Sequence, residues 1–243
     1  MTEQLTRTAI VTGASKRVGR AIADALLVDG WIVVAHVHHD GDEVPAGAVR
    51  VAADLGEADC AARIFAAADG PVALLVNCAA RFVGDELATF DCGAFDSHMA
   101  VNVRAPALLT AAFAAQAGDA GGLVVNLLDS KLSALNPDFF SYTVSKVALA
   151  GLTELSARAL AAKRIRVNAI APALMLQSPG QDETNFAAMH RFNPLQRGVE
   201  PSDVVGALRY LIDATAVTGQ VITIDGGQRF WALERDVQFL ERK

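Results

Sequence analysis

Seven short stretches of the chain are almost continuously apolar and rich in β-branched residues: TAIVTG (8–13), WIVVAHV (31–37), VRVAAD (49–54), VALLVN (72–77), GLVVNLL (122–128), RVNAIAP (166–172) and QVITID (220–225). Runs of this kind, without polar alternation, predict strands buried on both faces. Between them, residues 16–29, 57–68, 94–117, 142–162 and 201–213 place apolar side chains at helical spacing. Such an alternation of strand and helix predicts an α/β domain: a doubly wound parallel sheet of about seven strands with helices on both faces. No repeat, linker or charge block divides residues 1–243, so a single domain is expected. The one long irregular stretch, 173–199, is the expected lid. In this architecture ligands lie beyond the carboxyl ends of the strands, so the residues just after each strand are those to inspect.

Composition fits this picture and narrows the partners. A chain of 243 residues that is 52% hydrophobic and 20% charged can bury one substantial core. A net charge of −6 supplies no electrostatic reason to bind nucleic acid or an anionic membrane, and neither partner is expected. The three cysteines, Cys60, Cys78 and Cys92, form no C-x-x-C pair, which points away from disulfides and zinc and toward a reducing, cytoplasmic setting. The segment MTEQLTRTAIV has no apolar signal-peptide core, and no apolar run approaches the length of a membrane span.

The first strand leads into TGASKRVGRAIA, where Gly13 and Gly19 flank a tight turn that opens a helix. Backbone N–H groups there can hold a pyrophosphate, and glycine permits its close approach. The same turn could also be purely structural, and Lys16 and Arg17 a solvated helix start. Two cations at the positive end of a helix dipole nevertheless favour a compensating anion. The second strand ends in His36-Val37-His38-His39, with no carboxylate before Asp40 to contact a ribose hydroxyl. This pattern favours NADPH over NAD. The histidines lack a Cys or carboxylate partner to complete a metal site, so no metal is expected.

Tyr142 and Lys146 stand at i and i+4 on a predicted helix and share one face. An ammonium beside a phenol would lower the phenol pKa toward a range useful for proton transfer. A lone Y-x-x-x-K is common. Together with the glycine turn, the parallel sheet and NCAA after the fourth strand, it is specific.

Over essentially its whole length the chain resembles the short-chain dehydrogenase/reductase family, with its Rossmann-type fold. TGASKRVG (Gly13, Ser15, Lys16, Arg17, Val18, Gly19) resembles the family's cofactor turn, Asp54-Leu55 its adenine contact, and NCAA (Asn77, Ala79) its NNAG. Asn102 in VNVRAP resembles the active-site asparagine, and Tyr142 and Lys146 the proton donor and ribose-binding lysine. His36, His38 and His39 then fall on the cofactor side, as does Pro172, and Leu174 on the substrate side. The departures are informative: Arg17 replaces the middle glycine of the turn, and Asp129 stands where the family carries a serine, 13 positions before Tyr142. These features resemble the pteridine reductase and dihydromonapterin reductase branch.

That resemblance implies NADPH, a homotetramer, Arg17 reaching both substrate and cofactor phosphates, and Phe82 stacking on a pterin ring. It also implies Asn102 positioning a water beside Lys146. A carboxylate at Asp129 could accept from pterin N–H donors or relay a proton with Tyr142, and when ionised it opposes the lowering of the Tyr142 pKa. Ser130 is the alternative occupant of that position, although strand alternation favours Asp129, and Phe82 could equally pack as stack. The implied activity is reduction of a dihydropterin-type small molecule, with Tyr142 as proton donor. The competing readings are an NADPH-dependent carbonyl reductase and a catalytically inactive dinucleotide-binding regulator.

Overall fold

The computed structural model describes residues 7–177 and 181–240. The remaining residues of the expected 1–243 domain, including 178–180 of the expected lid, lie outside the described residues. Seven strands form one sheet: β1 Thr8–Val11, β2 Ile32–Val37, β3 Val49–Ala52, β4 Val72–Asn77, β5 Gly122–Leu127, β6 Ile165–Pro172 and β7 Val221–Ile224. Their order is β3-β2-β1-β4-β5-β6-β7, and every neighbouring pair is parallel. Chain order reverses between β1 and β4, which places the switch point, and the cleft it opens, at the ends of those two strands.

The pleat sorts the strand side chains into two cores. Ala9, Val11, Val33, Ala35, Leu74 and Val76 face α1 (Arg17–Val28) and α7 (Pro201–Asp213), which contribute Ile22, Leu26, Leu208 and Leu211. Ile10, Val34, Leu75 and Val124 face the other way, toward Ile64 of α2 (Cys60–Ala66), Leu109 and Phe113 of α4 (Ala105–Gln116) and Ala157 of α5 (Phe140–Leu160). Each buried Leu or Ile side chain contributes about 1.5–3 kcal/mol. At Gly122 a Cβ would stand 2.5 Å from the Phe113 ring, so glycine lets this fully buried aromatic lie against β5.

Three elements depart from the sequence expectation. The helix expected over 94–117 is α3 (Cys92–Met99) and α4 joined by a π-turn at Ala100–Arg104. Pro106 has no N–H to donate to the carbonyl four residues back, that of Asn102, so regular winding fails there. The helix expected over 57–68 shortens to α2, because Asp54 to Glu57 closes a turn first, with Glu57 N–H on the Asp54 carbonyl at 3.1 Å. The stretch 173–199, expected to be irregular, contains α6 (Glu183–His190), which the Asp182 side chain caps at 3.0 Å from Asn185 N. Only Met189 of α6 is buried, so it carries almost no apolar stripe to announce it. Among the described residues, no helix is long and apolar enough to cross a membrane.

Candidate active site

A cleft of about 1120 Å³ opens at the carboxyl ends of the strands. Its wall contains the residues expected at the nucleotide end: Gly13, Ser15, Lys16, Arg17, Val18, Gly19, His36, His38, His39, Asp54, Leu55, Ala79 and Pro172. The same wall contains Phe82, Asp129, Ser130, Tyr142, Lys146 and Leu174 from the expected reaction end. Asn77 and Asn102 are not on the wall; both are buried behind it.

The nucleotide end is built by close backbone approach. Gly13 has φ +69°, and a Cβ there would sit 3.0 Å from Ala79 Cα; a Cβ on Gly19 would strike the Gly13 carbonyl oxygen. Thr12, which the sequence reading missed, holds the facing loop: its hydroxyl oxygen accepts from Cys78 N at 2.9 Å and Ala79 N at 3.0 Å. His36 accepts from Gly13 N through Nδ1 at 3.2 Å and therefore donates through Nε2 to the Ala53 carbonyl at 3.0 Å. Burial pushes its pKa down, so His36 is a neutral brace, while His38 and His39 stand exposed beyond it. The start of α1 has no side-chain cap and no acidic residue in its first turn, and Lys16 and Arg17 stand beside it. Free N–H groups and two cations at one helix end suit an anion such as a dinucleotide pyrophosphate or a ribose phosphate.

Arg17 adopts φ +54°, a left-handed conformation that costs a non-glycine residue about 1–2 kcal/mol. Its guanidinium donates to the carbonyls of Gln177 at 2.9 Å and Leu176 at 3.2 Å. The side chain thus ties the start of the 173–199 segment across the mouth of the cleft.

Behind the wall, Asn77 donates to Asn126 Oδ1 at 2.8 Å, and Asn126 donates to Thr153 Oγ1 at 2.9 Å, linking β4, β5 and α5. Asn102 uses the π-turn to aim its amide at the Arg81 backbone, accepting from N at 2.7 Å and donating to O at 3.0 Å, and at Ser145 Oγ, 2.9 Å away. It thereby fixes the Ala79–Phe82 loop against the helix that carries Tyr142.

At the reaction end Tyr142 and Lys146 lie one turn apart on α5, and both are buried. The phenol donates to Asp129 Oδ2 at 3.0 Å, while Asp129 Oδ1 accepts from Lys131 N at 2.9 Å. Asp129, two residues beyond the end of β5, is therefore the group that meets the tyrosine. Lys146 Nζ donates to the Leu127 carbonyl at 2.6 Å and lies 5.6 Å from the Tyr142 ring centre. One expectation is corrected here. The Tyr142 pKa is not lowered: burial first, and then the Asp129 carboxylate, push it well above the usual phenol value. Burial pushes Lys146 down to about 8, against an opposing pull from Asp129. Burial also raises the neighbouring Cys78 thiol to about 11.

An aromatic stack closes the outer side. Phe82 stacks on Phe139 at 4.4 Å between ring centres, meets Tyr142 edge-on at 4.8 Å, and Phe139 stacks in turn on Phe239 at 5.7 Å. Phe139 sits at φ +52°, just before α5. Phe239 belongs to the C-terminal tail, which crosses the cleft mouth so that Arg235, Asp236 and Val237 join its wall. Lys131 donates to the Asp138 carbonyl at 2.5 Å and pairs with Asp236 at 3.4 Å. Burial pushes the Asp236 pKa up; Lys131 opposes this, and the nearby Asp129 adds to it. The sequence reading missed Lys131, Asp138 and Asp236. The only signal for Lys131 was its place two residues after Asp129, and the tail offered only its aromatic residues.

Comparison with known proteins agrees with this geometry. A family model described as Enoyl-(Acyl carrier protein) reductase matches residues 13–229. The chain is 30% identical to carbonyl reductase (NADPH) 2 of Sus scrofa, over 90% of this chain and 95% of that one. It is 29% identical to pteridine reductase 1 of Leishmania tarentolae, over 90% of this chain and 95% of that one. Among solved structures it is similar to FolM alternative dihydrofolate reductase 1 from Brucella canis, complexed with NADP, at 37% identity and TM-score 0.84, covering 92% of this chain and 94% of that one. With a seven-stranded Rossmann-type sheet and Tyr142 and Lys146 facing one cleft, the chain belongs to the short-chain dehydrogenase/reductase family and is an NAD(P)-dependent oxidoreductase. Within that family it lies near the pteridine reductase branch.

Proposed function

We propose that this protein is an NADPH-dependent reductase of a dihydropterin-type substrate. The observation that carries this reading is the Asp129 carboxylate on the Tyr142 hydroxyl, 3.0 Å away. A ketone offers its reductase only an oxygen to be protonated. A pterin ring offers N–H donors as well, and a carboxylate is the side chain that accepts from them. The Brucella canis relative, described as an alternative dihydrofolate reductase in complex with NADP, supports both the substrate class and the cofactor.

In this reading Gly13, Ser15, Val18 and Gly19 hold the pyrophosphate, with Lys16, His38 and His39 toward the adenosine phosphate. Asp54, Leu55 and Ala79 line the adenine side, and Lys146 and Pro172 the nicotinamide ribose. Bound NADPH would supply a hydride to the carbon of a ring C=N bond. Tyr142, kept protonated by burial and by Asp129, gives its proton to the ring nitrogen and regains one through the neighbouring groups. Phe82 and Leu174 flank the ring, and Arg17 exchanges its carbonyl partners for the anionic cofactor or the substrate. The described residues of the stretch 173–199 then act as a lid that excludes water. The exposed Val147 and Leu155 of α5 support assembly into a homotetramer, to be checked by light scattering.

The deciding experiment follows NADPH oxidation with a 7,8-dihydropterin beside a panel of ketones. Turnover of the dihydropterin at a kcat/KM at least tenfold above that of any ketone is the expected result. Turnover of ketones alone would overturn the substrate assignment in favour of a carbonyl reductase, a reading that the Sus scrofa relative supports.

A further inference from the structure

We infer that Asp236, carried by the C-terminal tail, is a second substrate-recognition carboxylate, which together with Asp129 receives the N–H donor edge of a flat, amino-substituted heterocycle. The inference rests on the dihydropterin reading and deepens it. Asp236 lines the same cleft as Asp129 and Tyr142, and the side chain is 21% exposed, so it is largely sheltered yet open to a ligand.

Its position is fixed from three directions. Arg235 Nε contacts both oxygens of Asp138, at 2.8 and 3.0 Å, and Asp236 N donates to Asp138 Oδ2 at 2.7 Å. Phe239 stacks on Phe139, the residue that precedes α5. The tail is thereby locked to the residues that lead into Tyr142, and the Asp236 carboxylate is held at a set place relative to the phenol.

Its charge is only partly answered. Among the described residues Lys131 is the one cation at ion-pair distance from Asp236, Arg235 acts on it from further off, and Asp129, of the same sign, stands close enough to push the Asp236 proton affinity up. Lys146 is occupied with the Leu127 carbonyl. Asp236 Oδ1 accepts one bond, from Gln238 N at 3.2 Å, and Oδ2 faces Lys131, which leaves unused lone pairs on both oxygens. Two carboxylates that line one cleft and keep open lone pairs form an acceptor-rich corner. A ligand with adjacent N–H donors relieves it, and a simple ketone does not.

The test compares wild type with Asp236→Asn, Asp236→Glu and Asp138→Asn, each loaded with NADP+. Calorimetry gives the Kd for 7,8-dihydropterin, and kinetics give the kcat/KM ratio of 7,8-dihydropterin to 2,3-butanedione. Asp236→Asn should weaken dihydropterin binding at least tenfold and lower that ratio at least tenfold, with the loss in KM rather than kcat, and Asp236→Glu should recover part of it. Asp138→Asn frees the tail without removing the acceptor, so it should lower the ratio in the same direction as Asp236→Asn but by less. An unchanged ratio in Asp236→Asn, when wild type does turn over dihydropterin, overturns this inference alone. Failure of wild type to bind or reduce dihydropterin overturns the proposed substrate, and this inference with it.

Discussion

Asp129 pushes the proton affinity of two neighbours the same way, up. Its carboxylate makes Tyr142 harder to ionise, and it makes Lys146 easier to keep charged, against burial that drives Lys146 down to about 8. Asp129→Asn should therefore lower both values, and the alkaline limb of kcat/KM should move to lower pH; a limb that stays in place on the true substrate would refute the coupling. Lys146 also leaves a signature in stability. Its pKa falls from 10.5 in the open chain to about 8 in the fold, so between those values the unfolded state binds more protons and stability rises with pH. Relative to Lys146→Met, wild type should gain stability from about pH 8 to about 10.5 and show no differential trend from this group below about pH 7, as read from paired urea titrations. Tyr142 and Lys146 stood out in the sequence by their i, i+4 spacing, and Asp129 through the family resemblance that marks the position 13 before the tyrosine. The direction of the Tyr142 shift was not legible, because it depends on how fully the phenol is buried and where the Lys146 ammonium points.

Elements were legible wherever one pattern dominated. The strands announced themselves as continuous apolar runs, and α1 and α7 as apolar stripes, because burial on the sheet imposes those patterns. The π-turn at Ala100–Arg104 was hidden, since its cause is one missing N–H at Pro106 together with the bonds that Asn102 makes to a distant loop. The start of α1 carries a different lesson. Its strained Arg17 is kept at φ +54° where glycine would sit without cost, and its guanidinium holds the carbonyls of Leu176 and Gln177. Arg17→Gly should leave stability equal or higher by up to about 1 kcal/mol. The KM for NADPH should rise about tenfold, in line with the loss of one charged contact worth about 1.4 kcal/mol. A clear loss of stability would mean that the tether, and not the anion, is the reason for the arginine.

At the scale of the molecule, stability resides in the two apolar faces of the sheet. Phe113→Ala should cost about 3–5 kcal/mol in urea unfolding, because it empties a fully buried position pressed against Gly122. Arg209→Ala breaks the exposed bidentate pair with Asp29 that joins α7 to α1, and should leave the Tm almost unchanged. The parallel winding followed from the alternation of strand and helix that local patterns express, whereas the order β3-β2-β1-β4-β5-β6-β7 came only with the structure. The tail did not follow, because Asp138 and Arg235 are 97 positions apart and only folding brings them together. The tail's attachment also shapes how such a protein can diversify. Residues 235–239 join no strand of the sheet, and they are held to the body by the Arg235–Asp138 clamp, the Asp236 N–H on the same carboxylate, the Lys131 contact and a ring stack. Their sequence can drift, lengthen or be exchanged without any penalty to strand pairing or core packing. A lineage carrying this scaffold can therefore remodel one wall of its cleft by editing the codons of a few residues that lie outside the sheet, with strands and core inherited intact.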